Sequence, residues 1–156
     1  MDRPWLVKAD VSMPKTHPFY SPRTHGFVRV AAATPVVHIA DPKANAKTHL
    51  ELMTQAADQG VDLLVFPELS LSAYAIDDLH MQAALLDEVE RQIAELAKAS
   101  SGMELVAVVG APLRSGDALF NCAVVISAGE VLGVVPKTYL PNYREYYEKR
   151  WFAPAT

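Results

Sequence analysis

The stretch "VDLLVFPELSLSAY" occupies residues 61–74. An apolar run of strand composition stops at Pro67, and the first charged residue beyond it is Glu68. Proline has no N–H to give to a ladder, so a strand ends there. A carboxylate at the mouth of a buried strand is costly unless it has a partner or a task. In sheets built from parallel strands, ligands bind at the C-terminal strand ends. Glu68 is thus either a structural cap or a functional acid, and the stretch by itself leaves both open.

The neighbouring sequence supplies the context. Upstream, "GFVRVAAATPVV" at residues 26–37 reads as a first, largely buried strand. Asp41-Pro42 then offers an N-cap followed by proline in the first turn. Ala46, Leu50, Met53 and Ala57 share one helical face, and Gly60 is a suitable residue to end that helix. Strand, helix and strand predict a parallel, right-handed βαβ unit. Downstream, a loop runs to about residue 78, and residues 81–99 form a second helix with Leu85, Val89, Ile93 and Leu96 as its stripe. A third strand at 104–109 exits through Gly110-Ala111-Pro112. Strands at 119–127 and 131–135 flank Ala128-Gly129-Glu130, the composition of a hairpin turn. The fold class is α/β with a mixed sheet.

A length of 156 residues suits one domain or part of a larger one. With 51% hydrophobic against 21% charged residues, the chain can build a core. A net charge of −4 argues against a general binder of nucleic-acid backbones. Cys122 is the single cysteine, so no intrachain disulfide forms and a reducing, cytoplasmic setting fits. Residues 1–25 hold Pro4, Pro14, Pro18 and Pro22 but no apolar core of a signal peptide. They read as an arm that is disordered or that orders only against a partner subunit. No run approaches the roughly 18 apolar residues of a membrane span.

A second strand end repeats the pattern of the first. Val134-Val135-Pro136-Lys137 matches Val65-Phe66-Pro67-Glu68: apolar, proline, charge. If both ends lie on one rim, Glu68 and Lys137 meet. Glu145, in the aromatic segment that follows, is a candidate third member. That segment mixes tyrosines with lysine and arginine, yet its glutamates and the acidic chain favour a pocket wall over a nucleic-acid surface. Cys122 sits within an apolar strand, where a thiol has a raised pKa and is inert. The five histidines lack metal-ligand spacing, and no CxxC, HExxH or phosphate-loop motif occurs.

The blocks "VFPELSLSAY", "VVGAPL" and "NCAVVISAGEVLGVVPKTYLPNYREYYEKRWFAP" resemble the nitrilase, or carbon–nitrogen hydrolase, superfamily. "HGFVRVA" and "PKTYLPNYREYYEKR" narrow the resemblance to the N-terminal glutaminase domain of bacterial glutamine-dependent NAD(+) synthetases. It runs from about residue 19 to residue 154. The resemblance implies an αββα sandwich, with residues 26–156 an incomplete domain of it. It implies a Glu–Lys–Cys triad: Glu68 as the base for the thiol proton, Lys137 as the cation for the oxyanion, and Glu145 as a second glutamate orienting both. Tyr143 matches a position that binds glutamine, and Tyr74 and Tyr146 match further positions lining that pocket. The family's nucleophilic cysteine follows the lysine, at a later strand end. Cys122 precedes Lys137, and the sequence stops at Thr156. The expectation is a first part of a longer, homo-oligomeric enzyme, without its nucleophile and inactive alone. This part would need no cofactor. A further synthetase domain would use ATP and Mg²⁺ to amidate deamido-NAD with the ammonia released. Two alternatives stay open: a stand-alone amidase or nitrilase cut in the same way, and a non-catalytic oligomerisation module.

Overall fold

The computed structural model describes residues 18–155. Asp41 accepts a hydrogen bond from the Ala44 amide at 3.0 Å and Pro42 fills the first turn, so helix α1 (Pro42–Asp58) starts where its cap dictates. Gly60, at φ 68°, takes the left-handed conformation that ends it. The chain returns into β2 (Leu63–Val65), which lies parallel to β1 (Val30–Ala32). The βαβ unit is therefore present, but β1 is shorter and more exposed than residues 26–37 suggest. Its last ladder bond runs from the Ala33 amide to the Val65 carbonyl, and Pro35 follows with no N–H to continue. It is also an edge strand, with β2 as its neighbour.

A 3₁₀ turn (Asp77–Met81) leads into helix α2 (Ala83–Ala99), which buries Leu85, Val89, Ile93 and Leu96 as its spacing predicts. Then come β3 (Val106–Ser115), β4 (Ala118–Ser127) and β5 (Glu130–Pro136). β3 is parallel to β2, while β4 and β5 are antiparallel, giving a mixed sheet of order β1–β2–β3–β4–β5. Gly110-Ala111-Pro112 is not an exit, because β3 continues through it. The reason lies in the register. Pro112 pairs with Asn121, whose carbonyl faces β5 and accepts the Lys137 amide at 2.8 Å. Pro112 therefore occupies a non-hydrogen-bonded position, its nitrogen turned toward the side where β2 has already ended. Ala128 and Gly129 both have positive φ (51° and 91°), as a tight two-residue hairpin requires. A shift in register beside Val125 and Ile126 makes Leu132 the extra residue of a bulge in β5.

One face of the sheet presents Leu64, Ala107, Val109, Val124 and Ile126 to Met53 and Ala56 of α1 and to Val89, Ile93 and Leu96 of α2. The opposite face carries Val30, Leu63 and Val106 in one row and Ala32, Val65, Val108 and Val125 in the next. The described residues leave it open: Val30 is 63% and Val135 61% exposed. A sheet apolar on both faces is built to be covered on both, as the inner layers of an αββα sandwich are. Of the arm at 1–25, residues 1–17 lie outside the described residues, and the rest forms two short 3₁₀ turns (Pro18–Tyr20 and Pro22–His25). No helix among the described residues is long and apolar enough to cross a membrane.

Removal of the α1 cap gives a direct check. Asp41→Ala is expected to cost about 1 kcal/mol, read as a lower urea midpoint with an unchanged m-value.

Candidate active site

Past β2, the Phe66 amide makes a last bond to the Val108 carbonyl at 2.9 Å, and Pro67 ends the pairing. The backbone then bends hard. Leu69 and Ala73 have φ of 51° and 77°, a conformation that costs a non-glycine residue of order 1–3 kcal/mol. Full burial of Leu69 and Leu71 offsets that strain. The bend crosses β3 at Gly110. A Cβ there would stand 2.9 Å from the Glu68 carbonyl carbon, and closer still to the Leu69 nitrogen and the Pro67 oxygen. Gly110 is thus the gap over which the backbone of Glu68 passes, and its carbonyl accepts the Leu71 amide at 3.1 Å.

Lys137 follows the end of β5. Its Nζ donates to Glu68 Oε1 at 2.6 Å and to Glu148 Oε1 at 3.0 Å. The Asn121 side-chain amide donates to the same Glu68 oxygen. Both bonds to Glu68 fall on Oε1, so Oε2 is uncommitted among the described residues. Glu148 is buried, and Tyr74 donates its hydroxyl proton to Glu148 Oε1 at 2.7 Å. Burial pushes the Lys137 ammonium down, but its bonds to Glu68 and Glu148 and their charges outweigh this and hold it above the ordinary lysine range. Burial, then the bond to Glu148, push the Tyr74 hydroxyl up. The lysine is therefore charged and the tyrosine neutral at pH 7. A carboxylate with a free oxygen beside a fixed ammonium can take a proton and steady a developing anion at one place.

Glu68 and Lys137 meet on one rim, as their matching strand ends predict. Glu145 does not join them: it is exposed, and Glu148 contacts Lys137 in its stead. The cause is tertiary. Residues Glu148–Arg150 form a 3₁₀ turn, and the Phe152 amide bonds back to the Glu148 carbonyl at 2.9 Å. Phe152 is buried with Leu69 and Leu140 and carries Glu148 inward. A clamp on the outside fixes the turn. Arg150 donates twice to Asp78, at 2.7 and 2.8 Å, Trp151 Nε1 donates to Asp78 at 2.9 Å, and the Tyr147 hydroxyl to Asp77 at 2.8 Å. Of the three tyrosines, Tyr74 is bonded into the cluster. Tyr146 is near enough to act electrostatically on Tyr74, and Tyr143 stands at the rim with its ring 6.0 Å from that of Tyr146.

Cys122 is buried in β4, between Ala111 and Pro136 on the flanking strands, and burial pushes its thiol up to about 11. Among the described residues no group of three His, Cys, Asp or Glu side chains could hold a metal ion. Asn121 is a further residue of the site, and its signal in the sequence is a polar side chain inside the apolar strand 119–127. Glu148 had none that separates it from Glu145.

Two outcomes follow from this geometry. Gly110→Ala is expected to cost about 1–3 kcal/mol by overpacking, seen in the urea midpoint, and to break the Glu68–Lys137 contact, seen in a crystal structure of the variant. Second, burial lowers the pKa of both His49 and His80. The unfolded chain then binds more protons than the folded one below about pH 6.5. Stability is full above that value and falls as pH drops through it toward the lower folded values, a trend that urea midpoints between about pH 8 and 5 read directly.

Comparison with known proteins gives the family. The family model described as carbon-nitrogen hydrolase matches residues 28–155. The chain is 53% identical over 136 residues to the glutamine-dependent NAD(+) synthetase of Mycobacterium tuberculosis, covering 87% of this chain and 20% of that protein. It is 35% identical over 127 residues to the Thermotoga maritima enzyme of the same name, covering 81% of this chain and 22% of that one. The chain thus spans about a fifth of the curated relatives it matches. Among solved structures, the glutamine-dependent NAD+ synthetase of Acinetobacter baumannii superposes with a TM-score of 0.76 at 34% identity, over 81% of this chain and 24% of that one. An amidase from Nesterenkonia sp. shares the fold, with a TM-score of 0.69 at 23% identity over 83% of this chain and 48% of the other. With one family model spanning nearly all the described residues, the chain belongs to the carbon–nitrogen hydrolase family.

Proposed function

We propose that this chain supplies the base and the cation of a glutamine amidohydrolase site. In a longer enzyme, the ammonia released there serves the ATP-dependent amidation of deamido-NAD to NAD. The observation that carries the proposal is the bridge of Lys137 between Glu68 and Glu148, at the strand ends of a carbon–nitrogen hydrolase fold. The relatives' names supply the substrate.

In this reading a cysteine beyond the present chain is the nucleophile. Glu68 Oε2 takes the thiol proton as sulfur attacks the side-chain amide carbon of glutamine. Lys137 steadies the tetrahedral oxyanion. Glu68 returns the proton to the leaving nitrogen, and ammonia departs. Glu68 then removes a proton from water, which attacks the γ-glutamyl thioester, and the returning proton frees the thiol and glutamate. Glu148, rather than Glu145, orients Lys137. Tyr74, Tyr143 and Tyr146 line the approach of glutamine. ATP and Mg²⁺ belong to the synthetase part, and no residue of this chain is assigned to them. Homo-oligomeric assembly and a cytoplasmic setting complete the proposal, on the strength of the resemblance and the single cysteine.

The test uses the longer enzyme that carries this segment. Glu68→Gln and Lys137→Gln are each expected to lower glutamine-dependent NAD formation by about 10²–10⁴-fold while leaving NAD formation from added ammonium salts intact. Retention of glutamine use in Glu68→Gln removes the proposal. The 156-residue chain by itself is expected to release no ammonia from glutamine, because its sole thiol, Cys122, is buried.

A further inference from the structure

Helix α1 carries two buried polar side chains one turn apart, Asn45 and His49, and neither belongs to the cluster of Glu68, Lys137 and Glu148. The His49 Nδ1 lies 2.7 Å from the Asn45 carbonyl oxygen, and its Nε2 lies 2.8 Å from Ser70 Oγ. A carbonyl can only accept, so Nδ1 carries a proton. Burial keeps the ring neutral at pH 7, and the Ser70 hydroxyl then donates to Nε2. The imidazole also stacks on Phe66, with centroids 4.1 Å apart and planes at 25°. Phe66 and Ser70 stand symmetrically about Glu68, each two residues away. One ring therefore grips the chain on both sides of the acid. Asn45 extends the grip, donating to the Leu71 carbonyl at 3.0 Å and the His38 carbonyl at 2.7 Å and accepting the His38 amide at 2.7 Å.

The segment needs such a hold. Leu69 and Ala73 keep positive φ, and strained residues persist only where their surroundings over-determine them. A buried imidazole is also an expensive way to fill a core: an aliphatic side chain would stack on Phe66 without desolvating two ring nitrogens. What the imidazole adds is direction, since its bond to Ser70 is satisfied in one position of the segment only.

We propose that His49 is a positioning residue for Glu68: through Phe66 and Ser70, its neutral ring sets residues 66–70 so that Glu68 Oε1 reaches Lys137 and Asn121. The inference rests on the reading of Glu68 as the base, yet it concerns a contact that is measured apart from any activity.

The experiment uses this chain. Glu68→Ala defines the NMR position of the Asn121 side-chain amide when its acceptor is gone. Ser70→Ala removes only a hydroxyl, His49→Leu removes the ring, and His49→Gln keeps an acceptor near the site of Nε2. Expected is a shift of the Asn121 signal in Ser70→Ala and His49→Leu more than half of the way to its Glu68→Ala position, with His49→Gln close to the parent. Urea midpoints separate this from stability. If Ser70→Ala and His49→Leu lower the midpoint and leave the Asn121 signal at the parent position, His49 merely fills the core and the proposal fails. Should His49→Leu not fold, Ser70→Ala and His49→Gln decide. If the Asn121 signal moves as expected but Glu68→Gln leaves glutamine use intact in the longer enzyme, the functional reading falls and the positioning role stands.

Discussion

A single ammonium held between two carboxylates organises the rim of this sheet. Lys137 comes from the end of β5, Glu68 from the end of β2, and Glu148 from the segment after β5. Glu148 is 1% exposed, and without its cation it would be an uncompensated buried charge, a loss of about 3–5 kcal/mol. Lys137 therefore stabilises the closure of the aromatic segment over the sheet, beside the burial of Phe152 and the clamp on Asp77 and Asp78. Closure in turn seats Phe152 against Leu69, next to Glu68. The reactive groups and the packing beneath them are mutually dependent, so neither can be altered without the other.

Strand β3 is the platform on which this depends. Its Gly110 lets one backbone cross another, and its Pro112 is tolerated because β2 stops short of it. These two residues do opposite things for the same end: one admits a close neighbour, the other forgoes one. Asn121, opposite Pro112, then reaches Glu68 with its side chain while its carbonyl holds the Lys137 amide. The acid and the cation are registered to each other through one residue of β4.

What was legible in the sequence was local. Asp41-Pro42 and Gly60 fix α1 by capping chemistry, and the two "apolar, proline, charge" strand ends mark Glu68 and Lys137 without reference to any partner. What was not legible depended on distant contacts. Glu145 and Glu148 look alike in an aperiodic segment; burial of Phe152 decides between them. Gly110-Ala111-Pro112 has the composition of an exit, but pairing with β4 makes it a strand, and the early end of β2 lets Pro112 stay in it. β1 looks buried by composition but lies at an edge. His49 lies on the buried face of α1 with Ala46 and Met53, but its partner Ser70 comes from a loop that helical periodicity does not describe.

The sheet face left open by the described residues bears on the polypeptide as a colloid. Among the described residues its valines stay open to water, and β5 adds an edge whose backbone groups lack a neighbouring strand. Such an edge is a template for any passing chain. The bulge at Leu132 is the device in β5 that breaks its regularity. In a crowded solution the fate of the molecule is therefore a race between orderly wetting of that face by its proper cover and disorderly capture by a stranger.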